Sequence, residues 1–184
     1  MGKTDDATQR LADLHTYFRE HPVTGPEGHS YVNSGPRPAR ISPALPFNAG
    51  TSDHIQASVQ EIADCTRTIN PAAEPLPQCV VDVYDWCRRN TAQADEAQEQ
   101  RRETVIYRQY LEHAIRASEY EVIPPHRCPS CRTWGLMWMP AAQRAVCTNL
   151  ECVTQDGTSS TFALARLAYE HVAAQRGLAQ VKAT

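Results

Sequence analysis

No apolar stretch of this chain approaches the ~20 residues that a membrane-spanning helix needs. The opening residues, Met1 to Asp6, are polar rather than the apolar core of a secretion signal. A membrane partner is therefore not expected, and the expected address is cytoplasmic. Lysine is almost missing: Lys3 and Lys182 stand against sixteen arginines, a bias that GC-rich coding produces. Motifs that carry chemistry are missing as well. There is no phosphate-cradling glycine loop, no G-x-G-x-x-G, no G-x-S-x-G and no H-E-x-x-H. Cys65, Cys79 and Cys87 have no histidine-and-acid pattern beside them and read as buried structural thiols rather than nucleophiles. The expectation is a protein that is not an enzyme.

What remains is a chain of 184 residues with 21% charged residues, a net charge of −3 and 13 prolines against 8 glycines. That composition excludes collagen-like and fully disordered classes and leaves room for one sizeable domain or two small ones. Charge is split along it. Residues 1–126 hold 12 basic and 18 acidic residues, a net of −6, whereas residues 127–184 hold 6 and 3, a net of +3. Attraction to DNA or RNA should thus arise in the C-terminal third.

The hydrophobic spacing predicts a mainly α protein in four parts. Leu11, Leu14 and Phe18 make one helical stripe within residues 1–21, ended by His21-Pro22. Residues 22–50 carry six prolines and no periodicity, and read as an extended arm laid over a core through Ile41, Leu45 and Phe47. Residues 51–123 read as a small helical bundle. One helix begins after Thr51-Ser52-Asp53 with Ile55, Val59 and Ile62 on a face, and stops at Asn70-Pro71. Another carries Val80, Val83, Tyr84 and Cys87 with Trp86 at its edge, and a last one carries Ile106, Tyr110, Leu111 and Ala114. The polar run 91–103 is either a solvated helical face or a loop between helices.

Residues 124–184 are the most informative. Seven cysteines, an odd number with no secretion signal, argue against a disulfide framework. Four of them form Cys128-Pro-Ser-Cys131 and Cys147-Thr-Asn-Leu-Glu-Cys152. Two cysteines two to four residues apart can turn both sulfurs toward one ion, and two such pairs complete the tetrahedron that Zn²⁺ takes in structural sites. Between them, Trp134 to Met139 and Arg144 to Val146 read as a β-hairpin about a Pro140–Gln143 turn. This is a zinc ribbon: a hairpin with two cysteine knuckles. An iron–sulfur cluster would use the same ligands, but paired knuckles across a hairpin favour one structural zinc per chain. His126 reads as a neighbour of the site rather than a ligand. A closing helix follows, capped by Ser160 or Thr161, with Leu164, Leu167, Ala168, His171 and Val172 on one face and Gly177 past its end.

Arg127, Arg132, Trp134, Trp138 and Arg144 interleave cations and aromatic rings, the pairing that contacts phosphates and stacks on bases. The alternative is that the tryptophans fill the small core and the arginines are ordinary surface residues.

Asn33-Ser-Gly-Pro-Arg-Pro38, Asp53-His-Ile-Gln56, the two cysteine pairs and Thr161-Phe-Ala-Leu-Ala-Arg-Leu-Ala168 together resemble uncharacterised zinc-ribbon proteins of actinobacterial phages and Streptomyces genomes. The resemblance implies a phage or prophage origin and a metal-binding ribbon. The function expected is a non-enzymatic accessory or regulatory protein that contacts nucleic acid through the ribbon. The alternative is an adaptor or assembly factor that grips a phage or host protein with its proline-rich arm and helical face.

Overall fold

The computed structural model describes residues 4–20 and 49–183. The predicted arm lies almost wholly outside the described residues. Among the described residues, five α-helices and a small antiparallel sheet run in the order α1 (Thr4–Glu20), α2 (Ala49–Ile69), α3 (Val83–Asn90), α4 (Glu96–Arg116), β1 (Leu136–Met139), β2 (Arg144–Cys147), β3 (Thr161–Phe162) and α5 (Leu164–Ala183). The sheet order is β1-β2-β3, with Leu136 opposite Cys147, Met139 opposite Arg144, and Ala145 opposite Phe162.

The helices form where apolar residues recur every three or four positions, and each buries that stripe. Ala7, Leu11 and Leu14 of α1 meet Ile55 and Ile62 of α2, Val83, Tyr84, Trp86 and Cys87 of α3, and Ile106 of α4 in one core. A second core joins Leu111 of α4, Ile123, the inward residues of the sheet, and Leu167 of α5. Helix α4 belongs to both, and Tyr110 packs against each. Its start is fixed by a capping box: the Asp95 carboxylate accepts from the Gln98 N–H (2.8 Å) while the Gln98 side chain accepts from the Asp95 N–H (3.0 Å). The proline-rich link between α2 and α3 is closed by an asparagine pair, with Asn70 Nδ2 donating to Asn90 O and the Glu74 N–H donating to Asn90 Oδ1. Helix α5 lies along α4, where His171 stacks on Tyr107 with ring centroids 4.0 Å apart.

Several expectations need correction. Helix α2 starts at Ala49, so Ser52 and Asp53 sit inside it rather than capping it. Trp86 is 2% exposed and belongs to the core rather than its edge. The run 91–103 divides into a turn and the first two turns of α4, within which Arg102 is buried and donates to the Thr91 carbonyl and hydroxyl. Cys65 and Cys87 are buried thiols as expected, but Cys79 is exposed. Thr161 caps nothing, because Thr161–Phe162 is a third strand, and α5 runs through Gly177 instead of ending there.

Candidate metal centre

Both cysteine pairs are carried on turns that the backbone closes on itself. In the first, the Cys128 N–H donates to Thr133 O and the Arg132 N–H to Cys128 O, both at 2.9 Å. Arg132 adopts φ 62, the left-handed conformation that lets the knuckle turn and costs a non-glycine residue roughly 1–2 kcal/mol. In the second pair, Cys147 ends β2 and its N–H donates to Ser160 O (3.0 Å), while the Cys152 N–H donates to Asn149 O (2.9 Å). The Asn149 side chain accepts from the Glu151 N–H (3.0 Å), an Asx turn that absorbs the two extra residues of this wider pair.

The turns bring all four sulfurs together. Cys128, Cys131, Cys147 and Cys152 offer sulfurs that all lie within 4.8 Å of one another, and no other group of three or more possible ligands is found among the described residues. Cys128 Sγ and Cys152 Sγ are 3.7 Å apart, as are Cys131 Sγ and Cys147 Sγ. A disulfide would need about 2.05 Å. The edge of a tetrahedron of thiolates with bonds of about 2.3 Å is about 3.8 Å, which these two pairs match, so the four residues could hold one metal ion.

The neighbouring groups favour a thiolate most directly at Cys131. The Thr133 hydroxyl lies 3.0 Å from Cys131 Sγ, and its hydrogen bond, together with the Thr133 N–H, brings the Cys131 thiol down to about 6. Burial pushes Cys147 up to about 12 and Cys128 upward, against N–H donors from Asn149 to Cys147 and from Ser130 and Cys131 to Cys128. Burial therefore opposes free thiolates at Cys128 and Cys147, and a cation is what compensates them. His126 is not part of the group: it is buried with Tyr107 Oη 3.0 Å from Nε2 and Ile123 O 3.1 Å from Nδ1. It links the cysteine module to α4.

Gly135 is the one glycine whose absence of a side chain is required here. Its φ is +115, and a Cβ would stand 2.5 Å from Thr148 Oγ1, which donates to Gly135 O at 2.7 Å. Gly135→Ala is expected to cost at least about 1 kcal/mol, since alanine is strained at positive φ. The check is a lowered urea midpoint for the metal-loaded protein, and an unchanged midpoint would contradict this account of the turn.

The residues expected to meet nucleic acid separate into three places. Arg127, Arg132 and Trp134 surround the first knuckle, with the Arg127 guanidinium 4.6 Å above the Trp134 ring and Trp134 itself 59% exposed. Arg132 pairs with Glu170 of α5 at 2.8 Å. Arg144 is exposed at the far end of the hairpin, opposite Met139. Trp138 is 6% exposed and points into the second core, because alternation along β1 turns Leu136 and Trp138 inward and Met137 and Met139 outward. Those two methionines were missed from the sequence, although the alternation of a strand starting at Leu136 would have flagged them. No helix among the described residues is long and apolar enough to cross a membrane. Compared with protein-family models, with curated proteins and with solved structures, the chain matches none.

Proposed function

We propose that the cysteine module is a zinc ribbon with one structural Zn²⁺, and that the chain is a non-enzymatic accessory or regulatory protein that contacts nucleic acid through it. Zinc is favoured over an iron–sulfur cluster because four single sulfurs converge on one tetrahedral point across a hairpin. Four thiolates leave no open coordination position, so the ion supplies folding energy rather than catalysis. The residues resembling actinobacterial phage proteins favour a phage or prophage origin.

One observation carries the nucleic-acid reading: the exposed Trp134 ring with Arg127 over it, held on a rigid turn beside Arg132. An aromatic face next to guanidinium groups is the arrangement on which bases stack and phosphates pair. Trp138 is left out of this surface by its burial. A fluorescence-anisotropy titration with generic single- and double-stranded DNA at two salt concentrations tests it. Binding should weaken steeply with salt, and Trp134→Ala should weaken single-strand binding by roughly tenfold, the worth of about one stacked base. No binding at low salt ends this reading. An adaptor or assembly role is the second reading, favoured by Met137 and Met139, two large apolar side chains that stand exposed on the outer face of β1.

A further inference from the structure

Helix α5 buries one side and leaves the other in solvent. Leu167, Ala168 and Val172 are buried on the side that packs along α4, whereas Arg166 and Tyr169 stand outside. Tyr169 is half-exposed, and the Arg166 guanidinium, one turn earlier on the same face, lies 5.9 Å from the centre of its ring. Arg127 stands over Trp134 in the same way at 4.6 Å. An open aromatic ring beside a guanidinium therefore occurs twice, once on the first cysteine knuckle and once on α5.

A single carboxylate joins the two pairs. Glu170, next to Tyr169 in the chain, holds Arg166 at 2.7 Å through Oε1 and Arg132 of the knuckle at 2.8 Å through Oε2. Arg132 lies two residues before Trp134, so this bridge connects the surroundings of the two rings. Both guanidinium side chains remain more than half exposed, while Glu170 is mostly covered. A guanidinium carries five N–H donors, and Glu170 engages only Nη1 of Arg132 and Nη2 of Arg166, which leaves donors on each facing solvent. No carboxylate engages Arg127 among the described residues. Three cations thus stand against one carboxylate. Because Glu170 already fixes two of the arginines, less side-chain freedom is lost when an anion arrives.

Ring, cations, ring is the order in which a nucleic-acid strand offers base, phosphates and base. Base faces are free to stack on a protein ring in a single strand, whereas a duplex keeps them in its own stack. We propose that a single strand of nucleic acid crosses from the first cysteine knuckle onto α5, with one base on Trp134, another on Tyr169 and the phosphates between them at Arg132 and Arg166. This rests on the nucleic-acid reading above and deepens it: α5 becomes half of the interface, and the partner is single-stranded.

The test is fluorescence anisotropy of the metal-loaded full chain with labelled oligothymidylate and with a duplex of the same length. Tyr169→Ala should weaken oligothymidylate binding roughly tenfold, the worth of about one stacked base, and Tyr169→Phe, which keeps the ring, should bind as the wild type does. Arg166→Gln should lower the slope of log affinity against log salt by about 0.7, the share of one single-strand phosphate. The duplex should bind more weakly and be indifferent to Tyr169→Ala. Both positions are exposed, so metal stoichiometry and the helical circular dichroism should stay as they were. Irradiation with a bromodeoxyuridine-substituted strand should attach it to Tyr169 as well as to Trp134. A strand that binds and responds to Trp134→Ala but not to Tyr169→Ala overturns this inference and leaves the ribbon reading standing. No binding of any oligonucleotide at low salt overturns both. A Tyr169→Ala loss as large for the duplex as for the single strand overturns the single-stranded partner.

Discussion

Chelating the metal, or replacing Cys147 with serine, is expected to unfold the sheet module while the α1–α4 bundle stays folded. The second core is built around the ligands: Cys128, Cys147 and Cys152 are three of its nine buried members. Its sheet pairs four residues of β1 with β2 and only two of β3, too little to hold together unaided. A structural zinc site contributes roughly 10–16 kcal/mol, as much as the whole stability of a typical domain at about 5–15 kcal/mol. Removing it leaves Leu111, Ile123, Leu136, Trp138 and Leu167 without a framework. The first core contains none of the four ligands, so Ala7, Leu11, Ile62, Tyr84, Trp86 and Ile106 keep their contacts. Far-ultraviolet circular dichroism should retain most of its helical signal, with a loss from α5. Tryptophan emission should shift red as Trp138 becomes exposed, while Trp86 stays buried. Native mass spectrometry should find one zinc per wild-type chain and none in Cys147→Ser. An intact near-ultraviolet spectrum after complete chelation would defeat the structural role of the ion, and collapse of all helices together would defeat the division into two cores.

What the sequence disclosed follows from how local each signal is. The cysteine spacing is a local rule, since residues 128 to 131 must turn tightly to aim two sulfurs, and the four ligands could be named from it. Helical stripes are local too, and Leu11, Leu14, Ile55, Ile62, Val83, Tyr84, Ile106 and Leu111 lie in the cores where the spacing put them. The third strand was hidden because Ser160 and Thr161 have the chemistry of helix caps. Tertiary hydrogen bonds claim that backbone first: the Cys147 N–H donates to Ser160 O and the Ser160 N–H to Cys152 O. Gly177 misled for a similar reason. A glycine inside a helix costs about 1 kcal/mol, which the packing of α5 along α4 absorbs. For Trp138 the sequence left two readings, ribbon surface and ribbon core, and its inward face follows from the register that pairs it with Ala145 across the hairpin. A cleft at the start of α5 is assembled from α2, α4 and the hairpin turn, and no linear motif could have announced it.

The bundle itself is expected to lose stability as pH falls from 6.5 toward 4, with His113 as the main cause. This ring is 1% exposed, on the face of α4 that meets α2. His54 stands edge-on to it with centroids 5.1 Å apart, Ser58 Oγ lies 3.4 Å from its Nε2, and its Nδ1 has no partner. A proton added there would be buried without an acceptor and near other cations. Burial first, then His54, Arg116, Arg10 and Arg108, hold His113 down to about 3, and burial with Arg116 and Arg108 holds His54 to about 4. In the unfolded chain both titrate near 6.5, so between about pH 6.5 and the folded values the unfolded state binds more protons and acid favours unfolding. Above 6.5 the groups are neutral in both states and contribute no slope. For His113 alone the loss at pH 4 relative to pH 7 is of order 3 kcal/mol. The cysteine site also sheds metal in acid, so the informative quantity is a difference between two proteins. Replacing His113 with leucine removes the titration and the unpartnered nitrogen at similar volume, and it leaves Ser58 Oγ donating to His54 O. Urea unfolding followed by helical circular dichroism at pH 7, 5.5 and 4 should show the wild type falling away from His113→Leu as pH drops. Parallel curves for the two proteins would mean that His113 is protonated in the fold without cost, and the buried, unpartnered geometry at the α2–α4 contact would then be wrong.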